Sequence, residues 1–403
     1  MPTLVIASTR VDIMSNGTDL RTRPLCELIP DARHLLVVPL YPLPAVSPST
    51  GMDPGVFDTV TECPPLLDGP RSLRRHLRLS DDHYLETSRR EQFAAARRTL
   101  EDLMRAHGID RIAVFGAEVA ELVADVRGCP KVLDLCDSMA LRSSRAIRHG
   151  GWNHCRVFGE LVDLWRVRRT ESRLPELFDQ VVTASAADTA EIKRLCGGRT
   201  NVLTVPNGVD ESYLAPLPLP GHRRAVVFWG NLDFEPNIAA LRYFFDEVWS
   251  PRLRSEGVAV LVVGGNAPSW LERMAEREPL IRLSGFVSDL RAAVTSYPVM
   301  INPMQTGSGI KNKVLEAFGM GIVVVSTPRG VEAMPDVIDG VHLAIADGGD
   351  AFAAAVLDLL DDPARRLRLR ANANALLHTC YPWGVAAAGW RDLFEVGSLE
   401  TTT

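Results

Sequence analysis

Short runs of β-branched and aliphatic residues alternate with longer amphipathic stretches along the chain, and the alternation occurs twice with a break between. The runs at residues 4–7, 35–38, 112–115, 132–135 and 181–183 have the continuous apolar character of strands buried on both faces of a parallel sheet. Parallel strands need crossovers, and residues 88–107 supply one. Phe93, Ala96, Leu100, Leu103 and Met104 recur there at helical spacing, and Gly108 is a stop signal. The pattern pauses at Asn207-Gly208-Val209-Asp210, after which Pro216, Pro218, Pro220 and Gly221 disfavour helix and sheet alike. It restarts with strands at 225–229, 258–263, 281–284, 299–302 and 322–326, and with helices at 236–249 and from Gly309. Two helices at 350–360 and 364–377 close the second half, and Tyr381-Pro382-Trp383 precedes a last helix to about residue 396. The prediction is α/β with two Rossmann-like domains, 1–210 and 211–378, and a segment 379–403 that returns to the first. Ligands are expected outside the carboxyl ends of the strands.

Composition narrows the classes. A chain of 403 residues suits two cores, and 46% hydrophobic with 23% charged residues is ordinary for packed globular domains. A formal net charge of −6 provides no overall pull toward nucleic acid. The seven cysteines form no C-x-x-C pair and read as reduced thiols of a cytoplasmic protein. Neither a secretory leader nor an apolar run of about 18 residues is seen, so a secreted or membrane-spanning protein is not expected. Residues 45–70, rich in Pro, Gly and Ser, read as a long loop.

The most informative segment runs Gly307-Ser308-Gly309-Ile310-Lys311-Asn312-Lys313-Val314-Leu315-Glu316-Ala317-Phe318-Gly319-Met320-Gly321 and into an apolar strand. A glycine turn at a helix start lets backbone N–H groups approach an anion. The helix dipole favours negative charge there, and Lys311 and Lys313 add full charges. Lys313 and Glu316 are neighbours on one helical face, so a cation for phosphate and a carboxylate for ribose hydroxyls can line one wall. The competing reading is a tight turn and a surface ion pair worth about 0.3 kcal/mol.

This segment resembles the signature of family 4 retaining glycosyltransferases of the GT-B fold. The similarity extends to Val205-Pro206-Asn207-Gly208-Val209-Asp210, to Gly230-Asn231-Leu232 through Pro236-Asn237, to Gly285-Phe286-Val287-Ser288-Asp289, and to Val182-Thr183-Ala184-Ser185. The first hundred residues match weakly. The resemblance implies two domains facing each other across a cleft and a last helix, carrying Trp383, that crosses back. It also implies a UDP-, GDP- or dTDP-sugar donor, a hydroxyl acceptor, a metal-independent retaining transfer and no cofactor. The base is expected against Phe286 and Val287, the ribose on Glu316, and the phosphates near Gly230, Asn231, Gly309 and Lys313. Gly264, Gly307, Ser308, Ile310, Lys311 and Leu315 complete the candidate donor-binding set.

Two positions depart from the family pattern. Ser308 stands where a second carboxylate often contacts the donor sugar, and Cys136-Asp137 where the family often reads His-Asp. Asp137, with Asp134 before it on the same strand face, is the candidate for orienting a hydroxyl; the alternative is an N-cap of a helix starting at Ser138. Asn16-Gly17-Thr18 after the first strand reads as a backbone approach for acceptor or phosphate, or as an ordinary turn. Arg21 and Arg23 suit either an anionic acceptor or an exposed helix face, and the basic cluster Arg71 to Arg78 either a membrane-surface helix or a solvated one. Arg166, Arg168 and Arg169 read as surface. No D-x-D triplet or glycosidase carboxylate pair is evident. A nucleotide-sugar epimerase and a catalytically impaired partner subunit are the alternative functions, and the chain is expected as monomer or homodimer. A dinucleotide oxidoreductase is disfavoured, because no G-x-G-x-x-G follows the first strand.

Overall fold

The computed structural model describes residues 1–11, 19–40, 54–67, 89–149, 154–218, 223–307 and 309–394. Met1–Pro206 with Ala387–Thr403 form one compact unit and Asn207–Ala386 the other.

The first unit is a seven-stranded parallel sheet in the order β3-β2-β1-β4-β5-β6-β7. Its strands are β1 Thr3–Ala7, β2 Arg33–Val37, β3 Thr59–Glu62, β4 Arg111–Phe115, β5 Lys131–Cys136, β6 Gln180–Thr183 and β7 Val202–Thr204. Helices α1 Asp19–Glu27, α2 Arg90–His107, α3 Met139–His149, α4 His154–Leu177 and α5 Ala186–Leu195 connect them. Parallel strands covered on both faces exclude water from their side chains, and β1 and β4 are accordingly buried at every position. Helix α2 ends as its glycine implies: Gly108 is left-handed at φ 58° and donates its N–H to the Met104 carbonyl.

Two strands lie outside the apolar runs. Within 45–70, read as a loop, Thr59–Glu62 forms the edge strand β3, whose side chains alternate between half-buried and exposed. Strand β7 is only three residues long. The final helix is also not continuous: Trp383–Ala386 and Ala388–Asp392 are separate. Trp390 is fully buried in the first unit, where its indole N–H donates to the Leu25 carbonyl at 2.9 Å and its ring lies 5.5 Å from that of Phe115.

The second unit is a six-stranded parallel sheet in the order β10-β9-β8-β11-β12-β13. It comprises β8 Ala225–Trp229, β9 Ala259–Val263, β10 Ile281–Gly285, β11 Val299–Asn302, β12 Val323–Ser326 and β13 Ala344–Ile345. Helices α6 Glu235–Tyr243, α7 Ser269–Arg277, α8 Leu290–Val294, α9 Asn312–Met320, α10 Pro328–Val331, α11 Gly349–Asp361 and α12 Pro363–Cys380 cover it. The helix expected to reach Trp249 does so in a wider form, because α6 passes into π-helical turns over Phe244–Leu253. Pro251 has no N–H for the α-ladder, so regular α-helix cannot run through it. Gly319 is required by contact: a Cβ there would lie 2.2 Å from the Tyr213 carbonyl, which packs directly on α9.

The entry to α3 shows how the carboxyl end of β5 is held. Cys136 is left-handed at φ 60°, and the β5–β6 register shifts between Asp134 and Cys136. The helix cap is Ser138, not Asp137: the Ser138 hydroxyl accepts from the Leu141 N–H at 3.1 Å and donates to Glu171 at 2.7 Å. The Glu171 carboxylate also accepts from the Met139 N–H at 2.6 Å. Ser138→Ala is expected to lower stability by about 1–2 kcal/mol, read as a lower urea midpoint for the first unit. An unchanged midpoint would mean that Glu171 alone caps α3.

Candidate active site

In the second sheet β8 lies between β9 and β11, so the chain leaves it in opposite directions on its two sides. The carboxyl ends of these strands form the switch point at which open α/β sheets bind ligands. Strand β8 ends in Trp229 with Gly230 next, β9 is followed by Gly264, and residues 303–311 connect β11 to α9. Gly264 is required because a Cβ there would lie 2.1 Å from the Gly230 carbonyl oxygen. A Cβ on Gly230 would in turn lie 2.8 Å from Asn237 Nδ2 and 3.2 Å from Lys313 Nζ. Backbone, amide and ammonium therefore converge on one spot.

Lys313 Nζ donates to Asn237 Oδ1 at 2.7 Å and sits 4.2 Å from the centroid of the Phe228 ring. Asn237, 6% exposed, is fixed in turn by donating to the Asn231 carbonyl at 2.8 Å. Burial, reinforced by the charge of Lys311, brings the Lys313 ammonium down to about pKa 7. Glu316 does not pair with Lys313; it accepts from the Trp229 indole N–H at 2.7 Å, and burial raises its carboxyl above the usual range. The surface ion pair considered from spacing is thus not formed. The two groups share a wall while holding separate neutral partners. Tyr213, whose phenol burial pushes up to about 12, lies in the electrostatic reach of Glu316.

Other candidates separate into groups. Lys311 folds back onto its own turn, donating to the Gly309 carbonyl at 3.0 Å, with Gly307 and Gly309 left-handed at φ 99° and 69°. Phe286 is 83% exposed, a large open aromatic face beside the end of β9, while Val287 packs at the edge of the core. Asn231 Oδ1 accepts from the Asp233 N–H, stabilising the turn after β8. Leu315 and Ile310, counted with the binding positions, have side chains in the core at 0% and 7% exposure. Ser308, Gly17 with its turn, and the Arg71 to Arg78 cluster lie outside the described residues.

In the first unit Arg21 is neither on an exposed face nor open to an acceptor. It is buried and donates to both oxygens of Asp134, the closest contact being 2.7 Å, and to the Val205 carbonyl at 2.8 Å. Asp134, 3% exposed, is committed to this pair. Asp137 lies three positions on, past the left-handed Cys136, so the two carboxylates do not share a strand face. Asp137 is half-buried, and its carboxylate has no hydrogen-bond partner among the described residues.

Three site residues had no assigned role from sequence: Asn237, Trp229 and Thr306. The Thr306 hydroxyl is buried without a partner among the described residues, one position before Gly307. A polar residue in the first turn of α6, an aromatic ending β8 and a hydroxyl before a glycine turn were the available signals.

Residues 223–362 match the family described as glycosyl transferases group 1. The chain is 26% identical over 281 residues to a glycogen synthase of Mycobacterium tuberculosis, covering 63% of this chain and 61% of the relative. It is 29% identical over 217 residues to a phosphatidyl-myo-inositol mannosyltransferase of Mycolicibacterium smegmatis, covering 49% and 53% respectively. The chain thus spans between half and two thirds of the length of these curated relatives. Among solved structures it resembles sucrose-phosphate synthase of Thermosynechococcus elongatus at TM-score 0.71 and 15% identity, covering 98% of both chains. It also resembles HepE of Anabaena in complex with UDP at TM-score 0.66 and 15% identity, covering 96% of this chain and 98% of that one. The fold is GT-B, with two parallel-sheet Rossmann-like units.

Proposed function

With residues 223–362 a glycosyl transferases group 1 domain, we propose that this protein is a glycosyltransferase that moves a sugar from a nucleotide-sugar donor, UDP-linked first among candidates, to a hydroxyl acceptor. The observation that carries this reading is Lys313. It is a desolvated ammonium with an amide and an aromatic ring for company, without a carboxylate partner among the described residues, at the switch point of the sheet. A diphosphate supplies the missing counter-charge. Its oxygens meet Lys313 Nζ, the backbone at Gly230, Asn231, Gly307 and Gly309, and the first N–H groups of α9. Glu316 accepts from the ribose hydroxyls, and the open face of Phe286 and the backbone at Val287 take the base. In the transition state the same donors stabilise charge developing on the departing diphosphate, so no metal is required. Asp137 orients a reacting hydroxyl, and transfer proceeds with retention. Asp134 acts only as a positioning residue, through Arg21.

UDP-glucose of the HepE complexes heads the panel of donors to be tried, followed by other UDP-, GDP- and dTDP-sugars. One donor is expected to raise the melting temperature by mass action and to release its nucleoside diphosphate in the presence of chelator. Stabilisation by none, with no diphosphate released, rejects the reading. Conversion of the donor to an isomer without loss of nucleotide identifies an epimerase instead. Glu316→Gln is expected to weaken binding of the donor's nucleoside part by about tenfold, as for loss of a hydrogen bond to a charged group. Unchanged affinity for uridine, guanosine and thymidine together excludes that role.

A further inference from the structure

The second unit holds another pocket. It is a solvent-open depression of about 340 Å³ between the π-helical turns that follow α6 and one face of α7. Trp270, Arg273, Met274 and Arg277 recur at i, i+3, i+4 and i+7 and so present one face of that helix, opposite Trp249 and Arg254. The walls are unequal in what they satisfy. Trp249 donates its indole N–H to the Val258 carbonyl at 2.8 Å. The Trp270 indole nitrogen is buried with no acceptor among the described residues, although its ring is held by the Arg242 guanidinium 4.6 Å from the centroid. Arg254 bonds Glu278 at 2.6 Å, whereas Arg273 and Arg277 are exposed and have no carboxylate partner among the described residues. Three guanidinium groups against one carboxylate leave the pocket cationic. A π-helical interruption is itself a frequent companion of functional sites.

Its separation from the donor site follows from chain geometry. Asn237 and Trp249 stand on one helical run, twelve residues apart, which places them on the order of 15 Å from each other. The size is at the small end of ligand pockets, roughly 300–1,000 Å³, and is enough to seat one ring. Aromatic and Met surface suits the apolar face of a sugar ring, and paired arginines suit a phosphate or carboxylate.

We propose that this pocket binds a monosaccharide bearing an anionic group. Arg273 and Arg277 hold the anion, and the Trp270 and Met274 wall receives the apolar face of the sugar ring. Calorimetry on the full chain tests it with mannose 6-phosphate and glucuronate as probes, and with mannose and inorganic phosphate as controls. At least one anionic sugar is expected to bind saturably, at least about tenfold more tightly than either control, as one charge-assisted contact allows. The preferred probe identifies phosphate or carboxylate as the source of charge. The double variant Arg273→Ala/Arg277→Ala, at two exposed positions, is expected to reduce that affinity at least about 30-fold, with UDP affinity held within twofold. Absence of saturable binding by both anionic sugars overturns the proposal. So does inorganic phosphate binding equally well, which marks an adventitious ion only, and so does full affinity in the double variant.

Discussion

Lys313→Ala is expected to weaken UDP binding by about 10- to 100-fold while leaving uridine affinity within about threefold, because a charge-assisted phosphate contact contributes about 1.5–3 kcal/mol. Calorimetry with the two ligands checks it, and equal losses for both would remove Lys313 from the phosphate site. The pH dependence sharpens the test. Burial holds the free ammonium at about pKa 7, far below its unfolded value, and an anionic ligand draws the proton back. Above pH 7 binding must therefore take up protons, and affinity falls as pH rises. Titrations in buffers of different ionisation heat read the proton directly, and Lys313→Ala should abolish its uptake. The sign for folding is opposite. Between about pH 7 and the unfolded Lys value, the unfolded chain binds the proton that the folded one has lost, so this group's contribution to stability improves with rising pH. Lys313→Met, which removes a desolvated charge and keeps the volume, should leave the ligand-free melting temperature unchanged or higher. Lower affinity with undiminished stability is the combination that separates a ligand-binding lysine from a structural one.

What could be read from sequence follows the range of the interactions. Strands β8, β9 and β12 announce themselves because burial on both faces demands unbroken apolar runs. Strands β3 and β13 lie at sheet edges, and β13 has two residues, so neither leaves such a run. Spacing on one helix put Lys313 and Glu316 on a common wall, yet their partners come from far away in sequence. Asn237 is 76 positions from Lys313 and Trp229 is 87 from Glu316, separations that no local period encodes. The same holds for Arg21 and Asp134, 113 positions apart. Their types suggested surface and active site, and only the packing of α1 onto β5 reveals a buried pair. Within the long glycine motif, residues three apart on α9 share a face, so Lys313 and Glu316 line the wall while Leu315, on another side of the helix, and Ile310 before it belong to the core. A motif identifies the segment; helical geometry sorts its side chains.

Asp137→Asn is expected to lower kcat by about 100-fold with nearly unchanged donor KM, as when an interaction made only in the transition state is removed. The local geometry supports this expectation. The helix-capping role that could otherwise occupy the residue belongs to Ser138, whose hydroxyl accepts from Leu141 N–H, and the neighbouring carboxylate Asp134 is engaged by Arg21. The left-handed turn at Cys136 sets Asp137 beyond the end of β5. Its carboxylate remains half-buried, with no hydrogen-bond partner among the described residues. Stability distinguishes the neighbours. Ser138→Ala should lower the unfolding midpoint and leave kcat near normal, whereas Asp137→Asn should lower kcat and leave the midpoint in place. Near-normal turnover in Asp137→Asn, measured by nucleoside diphosphate release at saturating donor, would take this carboxylate out of the reaction.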